Sequence, residues 1–265
     1  MSLQLPYGIQ ADTLKHISEV ERGLNCNCKC PSCGEPLIAR KGKKTAHHFA
    51  HRQASNCDTA TETALHLAAK EVLEAEKRIR LPDTEVTFNS FREPFRLCKS
   101  RELTFDRVWL EEPSGSMIPD VLIEKNDREL AIEIKVSHEV DQKKRQKARK
   151  QDLSVLEIDL SKFNRELSPD RLHDLVVEGL EYKSWSYNRR AQLYRDRLLQ
   201  ASRRKMIQET GMSMWVQDCP REYRSNGSGY YALVVDDCWH CRHCVHHDRE
   251  EGIIYCAANQ TTMAH

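Results

Sequence analysis

The sequence predicts an α/β protein in which a mixed sheet and its helices lie between two cysteine-rich modules. Three observations carry this expectation. Two alternating apolar runs around a polar turn at 117–136 read as a β-hairpin. Segments with apolar residues at helical spacing flank that hairpin on both sides. Of the 11 cysteines, all but Cys98 fall at positions 26, 28, 30, 33 and 57 or 219, 238, 241, 244 and 256. Cys98 alone reads as a small buried hydrophobe.

At 265 residues the chain has room for one large domain or two smaller ones. Composition divides it into an N-terminal module (1–58), a core (59–165), a helical basic segment (166–210) and a C-terminal module (211–265). No stretch approaches the ~20 apolar residues of a membrane span, and the first thirty residues lack an apolar signal core. Membrane and exported proteins are therefore excluded, and a cytoplasmic location is expected. In that compartment Cys-x-x-Cys pairs near histidines read as zinc sites rather than disulfides.

In the N-terminal module, Cys30 and Cys33 form a knuckle, with Gly34 allowing the tight turn. A short strand at Leu37–Ala39 and a hairpin turn at Lys41–Lys43 return the chain to His47, His48, His51 and Cys57. A closed structural zinc site takes four nitrogen or sulfur ligands. The expected set is Cys30, Cys33, His51 and Cys57, with Cys28 and His48 as alternates.

The core opens with a helix over 59–79, whose stripe is Leu65, Ala68, Ala69, Val72, Leu73 and Ile79. Glu62 and His66, four residues apart, extend that stripe at its N-terminal end. Glu62 has two readings: a functional acid, or the partner of Thr59 in a capping box. Strands are expected around 84–88 and 105–111.

In the hairpin, a two-residue loop at Asn126-Asp127 makes paired positions sum to about 253 and sets Asp120 opposite Glu133. Lys135 then shares their face, while Ile132, Ile134 and Val136 fill the other. Two carboxylates and a lysine converging on one point suit Mg²⁺ or Mn²⁺ with a phosphate substrate. The competing reading is an exposed strand face with an ordinary Glu–Lys pair. A helix over 139–150 follows, capped by Ser137 or His138, and then a strand at 154–160. That helix contains KKRQKARK, six bases without an acid, whereas 101–142 hold 11 acids against 5 bases. Lys143, Lys147 and Lys150 share one helical face and are candidate phosphate contacts.

The order αβββαβ with Pro119-Asp120 and Glu133-x-Lys135 resembles the PD-(D/E)XK nuclease superfamily. The upstream stretch CPSCGEPLIARKGKKTAHHFAH, with Cys57 and Glu62-x-x-x-His66, resembles the CoiA-like competence-protein family. Together the resemblances cover roughly residues 20–160. They imply a restriction-endonuclease-like core and metal-dependent DNA cleavage, with Asp120, Glu133 and Glu62 holding the metal and Lys135 and His66 in the catalytic set. Many members of that family carry Gln where this chain has Lys135; lysine is the commoner superfamily residue and favours an active enzyme.

Beyond the core, Ser168-Pro169 opens a helix to about 180, and a longer helix is expected over 182–210. Its bases, Arg189 and Arg190 among them, are further candidate phosphate contacts, although an ordinary packed helix with a wet side explains them equally. Residues 213–260 read as a small unit held by zinc, because so few apolar residues need a metal to hold them. Its expected ligands are Cys219, Cys238, Cys241 and Cys256, with Cys244 or His243 as alternates.

These readings lead to the expectation of a cytoplasmic endonuclease that cuts DNA in foreign-DNA processing or anti-phage defence, with Mg²⁺ or Mn²⁺ for catalysis and two structural Zn²⁺. A regulatory protein partner is also expected, since a small nuclease without its own ATPase needs external control. The rival expectation is a zinc-containing DNA-binding or adaptor protein with an inactive nuclease core.

Overall fold

The computed structural model describes residues 4–53, 57–88, 94–136, 142–161 and 167–258, without the side chains of 142, 143 and 145. The expected caps Ser137 and His138 lie outside the described residues. The chain forms two compact units. One comprises Met1–Pro82 with Ser100–Asn188, the other Asp83–Lys99 with Arg189–His265. Compositional boundaries at 58 and 165 therefore fall inside the first unit, and the segment 166–210 is shared between both.

The first unit is built round a five-stranded mixed sheet. Its strands run in the order Lys183–Tyr187, Val155–Asp159, Arg128–Lys135, Val121–Lys125 and Arg107–Leu110. All neighbours are antiparallel except Arg128–Lys135 and Val155–Asp159, which are parallel. The connection between that parallel pair is helix α2 (Gln142–Gln151), because a parallel partner needs a crossover. Helix α1 (Ala60–Glu76) precedes the sheet and ends at Lys77, whose left-handed backbone (φ 48°) terminates it. Ile79, assigned to the helical stripe by spacing, lies instead in the strand Arg78–Leu81.

Alternation sorts the sheet's two faces. Val121, Ile123, Ile132, Ile134, Leu156 and Ile158 enter the core that also buries Leu65, Ala69 and Leu73 of α1. Leu122, Ala131 and Val155 point the other way and pack with Ala148 of α2. Burying each large aliphatic side chain contributes about 1.5–3 kcal/mol, so the two helices hold the sheet from both sides. Ser168 caps α3 (Pro169–His173), accepting from the Arg171 amide at 3.2 Å. A π-helical turn, Asp174–Glu178, follows.

The helix expected over 182–210 is a strand, a helix and a strand. Lys183–Tyr187 joins the first unit's sheet, α4 spans Arg189–Ala201, and Arg203–Thr210 begins the sheet of the second unit. The basic composition suits a helix, but cross-strand pairing decides the outcome: Ser184 pairs with Glu157, and Lys205 with Ile254. Local propensity yields to such tertiary pairing.

In the second unit six antiparallel strands are ordered Arg224–Asn226, Gly229–Leu233, Ser213–Gln217, Arg203–Thr210, Ile253–Cys256 and Cys244–Asp248. A separate hairpin, Thr84–Val86 with Phe95–Cys98, belongs to the same unit. Its Val86, with Phe88 just beyond the strand, is buried with Leu198 of α4, Val245 and Ala257. Among the described residues, no helix is long and apolar enough to cross a membrane.

Candidate functional sites

Two constellations in the first unit hold chemistry. The first is the Cys/His cluster. A turn carries the chain from Cys30 to Cys33, closed by the Gly34 amide donating to the Cys30 carbonyl at 2.9 Å. Gly34 has φ +74°, a conformation that an L side chain rarely adopts. The hairpin Leu37–Arg40 with His48–His51 pairs Leu37 with His51 and so returns His51 to the knuckle. Cys57 arrives just before α1. Ligand atoms of Cys30, Cys33, His51 and Cys57 all lie within 4.8 Å of one another.

The separations match a tetrahedral ion. Two sulfurs at about 2.3 Å from zinc stand ~3.8 Å apart, and the Cys30 and Cys57 Sγ atoms are 3.9 Å apart. Cys33 Sγ and His51 Nε2 are 3.3 Å apart, near the ~3.6 Å of a tetrahedral sulfur–nitrogen pair. Burial pushes the Cys30 thiol up to about 11. Burial acts the same way on Cys57, but hydrogen bonds from Ser32 and its cysteine neighbours outweigh it and bring that thiol below its ordinary value. The set is the one expected from spacing, and it can hold zinc.

Neither alternate joins it. Cys28 is buried in the apolar core with its Sγ 3.2 Å from the Cys26 carbonyl, and burial pushes it up to about 12. His48 Nδ1 lies 2.9 Å from the Ala46 carbonyl.

The second constellation is the open end of the hairpin. Val121 pairs with Ile132 and Lys125 with Arg128, so the two-residue loop is as expected. Asn126 and Asp127 both adopt left-handed backbone (φ 50° and 58°), as a type I′ turn requires. Continuing that register sets Asp120 beside Glu133. Asp120 Oδ2 accepts from the Ile134 amide at 2.8 Å, which extends the ladder by one side-chain bond. His66 of α1 reaches the same point: its Nε2 lies against the Ile134 carbonyl and 4.0 Å from Asp120 Oδ2.

Lys135 Nζ lies 3.8 Å from both Glu157 Oε1 and Asp159 Oδ2 on the parallel neighbour strand. Glu133 Oε2 accepts from Lys144 Nζ at 2.7 Å. Glu157, Asp159 and Lys144 are site residues that sequence reasoning missed, because nothing local announces which strand will pair in parallel. A further missed pair is Lys70 and Glu111. Lys70, one helical turn beyond His66, is 2% exposed and bonds the Glu111 carboxylate. The Lys70 ammonium holds that carboxyl below its ordinary range. Glu111 in turn donates its amide to the Asp120 carbonyl at 3.2 Å.

Glu62 occupies the first turn of α1 and is half-buried. The capping-box reading fails, since Thr59 makes no side-chain cap bond. Its hydroxyl instead lies 2.9 Å from that of Ser32, tying helix to knuckle. Asp120 and Glu133 bring hard oxygen donors to the same end of the hairpin, a donor type that suits Mg²⁺ or Mn²⁺. Among the described residues, the Cys30 set is nevertheless the one group of three or more Cys, His, Asp or Glu with mutually close ligand atoms.

Of the expected phosphate contacts, Lys147 and Lys150 are exposed on α2, and Arg189 and Arg190 are exposed at the start of α4. The Lys143 side chain lies outside the described atoms.

In the second unit the expected ligands Cys219, Cys238 and Cys241 share one buried cluster with Cys244. Cys244 pairs across strands with Cys256. Burial, and then the neighbouring thiols of Cys244, Cys219, Cys241 and Cys256, push the Cys238 thiol far above its ordinary value. The Arg242 Nε sits 3.1 Å from Nε2 of the alternate His243. These thiols are neighbours without forming a closed set of the N-terminal kind.

Residues 11–60 match the family described as competence protein CoiA, N-terminal domain. That stretch is similar to the CoiA N-terminal domain. The match contains all four residues of the Cys30 cluster, so the candidate zinc site lies within the stretch that is similar to that family. No curated protein and no solved structure matches the chain.

Proposed function

We propose that this protein is a divalent-metal-dependent DNA endonuclease of the PD-(D/E)XK kind, its CoiA-type domain acting as a zinc-held support for the catalytic helix α1. The observation that supports this best is the hairpin register, with Val121 opposite Ile132, which continued by one pair would bring Asp120 beside Glu133 with Lys135 on the same face. Within the five-stranded sheet, the three strands that precede α2 (Arg107–Leu110, Val121–Lys125 and Arg128–Lys135) are antiparallel and the one after it is parallel to its neighbour. That order supports the reading, although the expected core strand at 84–88 lies in the second unit. A bound Mg²⁺ or Mn²⁺ would polarise the scissile phosphate and lower the pKa of a coordinated water.

The chain's own residues do the rest. Asp120 and Glu133 would hold the cation, with Glu62 a third candidate ligand one helix away. The Ile134 amide fixes the Asp120 carboxylate, and Lys70 with Glu111 braces the backbone beside it. Lys135 would orient the attacking water and offset charge on the phosphate, and His66 would assist from α1. Exposed bases of α2 would contact flanking phosphates, positioning the duplex without reading its bases. The C-terminal cysteines would hold a second structural zinc. A cytoplasmic role in processing foreign DNA or in anti-phage defence, under control of a protein partner, fits such an activity.

Plasmid nicking with Mg²⁺ or Mn²⁺, against EDTA, tests this. Asp120→Asn and Glu133→Gln should each lower the rate about a hundredfold or more by removing a metal ligand, with zinc content unchanged. Cutting by either variant at the native rate would refute the site. A native protein that binds DNA but never nicks it would be the adaptor of the rival reading.

A further inference from the structure

Resting on the nuclease reading above, one contact in the hairpin site calls for a role. Glu133 is mostly enclosed, its side chain 13% exposed, and its Oε2 accepts from Lys144 at 2.7 Å. Lys144 reaches in from the first turns of α2 and is 43% exposed. A second cation, Lys135, is drawn to the adjacent strand by Glu157 and Asp159. Parallel register sets Glu133 beside Glu157 and Lys135 beside Asp159. One sheet face thus carries Glu133, Glu157 and Asp159, with Asp120 at its open end, and among the described side chains the ammonium groups of Lys135 and Lys144 offset part of their charge.

An ammonium and a divalent cation use the same carboxylate lone pairs. They also repel each other, and in a partly enclosed site salt screens that repulsion poorly. We infer that Lys144 is a built-in competitor for the metal: it holds Glu133 in the metal-free protein and leaves that oxygen when a divalent cation binds. Lys144 is a positioning residue in this scheme. It keeps the carboxylates together against their own repulsion, and its long, half-exposed stem lets it withdraw to solvent without disturbing α2.

The test uses Mn²⁺ alone on the zinc-loaded full chain, with free Mn²⁺ counted by its electron paramagnetic resonance signal. Lys144→Met should tighten Mn²⁺ binding by roughly five- to a hundredfold, the usual span of a site-to-site coupling. Lys144→Arg, which keeps the positive charge, should stay near the native affinity. Glu133→Gln should abolish the site. Native affinity in Lys144→Met would overturn the competition while leaving the metal centre standing. Mn²⁺ binding that survives Glu133→Gln would overturn the centre itself.

Discussion

The two cysteine-rich modules of this chain begin from the same device and arrive at different geometries. Near the N-terminus, Cys30 and Cys33 sit on one turn, and two separate elements deliver the remaining ligands, His51 from a strand and Cys57 from the approach to α1. Near the C-terminus, Cys238 and Cys241 also share a turn, the Cys241 amide donating to the Cys238 carbonyl at 3.1 Å. Their neighbours, however, include the thiols of Cys219 and Cys244, packed with Val216, Ala232 and Val234, and the thiol of Cys256 close to Cys238. A knuckle supplies half a site. The other half depends on whether returning elements bring two ligands, and no more, to the same point.

The largest effect should come from breaking the closed set. Because metal binding and folding share one free energy in such modules, about 10–16 kcal/mol for small zinc domains, Cys30→Ser should leave the CoiA-type domain unfolded. Zinc analysis and circular dichroism of the soluble fraction check this, and a soluble variant with native zinc content would contradict it. A smaller effect is expected at the other end. Cys238→Ser should lower the zinc content from about two ions per chain to about one, with the loss confined to the second unit. A native protein holding a single zinc that Cys238→Ser does not remove would make the C-terminal thiols a purely apolar cluster.

The smallest effect should fall on Cys28, which lies within the N-terminal module yet outside its ligand set. Cys28→Ala should keep the zinc and cost about 0.5–3 kcal/mol of stability, the ordinary range for a core substitution. Loss of zinc in this variant would redraw the set.

Much of the site was legible because its determinants are local. The Asn126-Asp127 turn fixes the register that sets Asp120 beside Glu133, and the spacing of Cys30, Cys33, His51 and Cys57 identifies the knuckle and its return. What escaped is non-local. Lys143, Lys147 and Lys150 share a helical face by spacing, yet among the described side chains of α2 it is Lys144 that meets Glu133, a contact decided by how the helix lies against the sheet. Lys70 carries no signal of its burial, since its partner Glu111 comes from a distant segment, just past the strand Arg107–Leu110. The 182–210 segment read as one basic helix because its cross-strand partners, such as Glu157 and Ile254, lie in separate parts of the chain.

The paired strands Thr84–Val86 and Phe95–Cys98 bear on how the molecule is made. Val86 and Phe88 are buried against Leu198, Val245 and Ala257, all of which are synthesised much later. At about 5–20 residues per second on the ribosome, these side chains emerge on the order of ten seconds before α4 can cover them. During that interval the nascent chain exposes an apolar hairpin while the elements up to residue 188 are still arriving. Slowing translation between residues 100 and 190 should therefore increase chaperone association and aggregation, and replacing Phe88 with a polar residue should reduce both at the expense of the finished second unit.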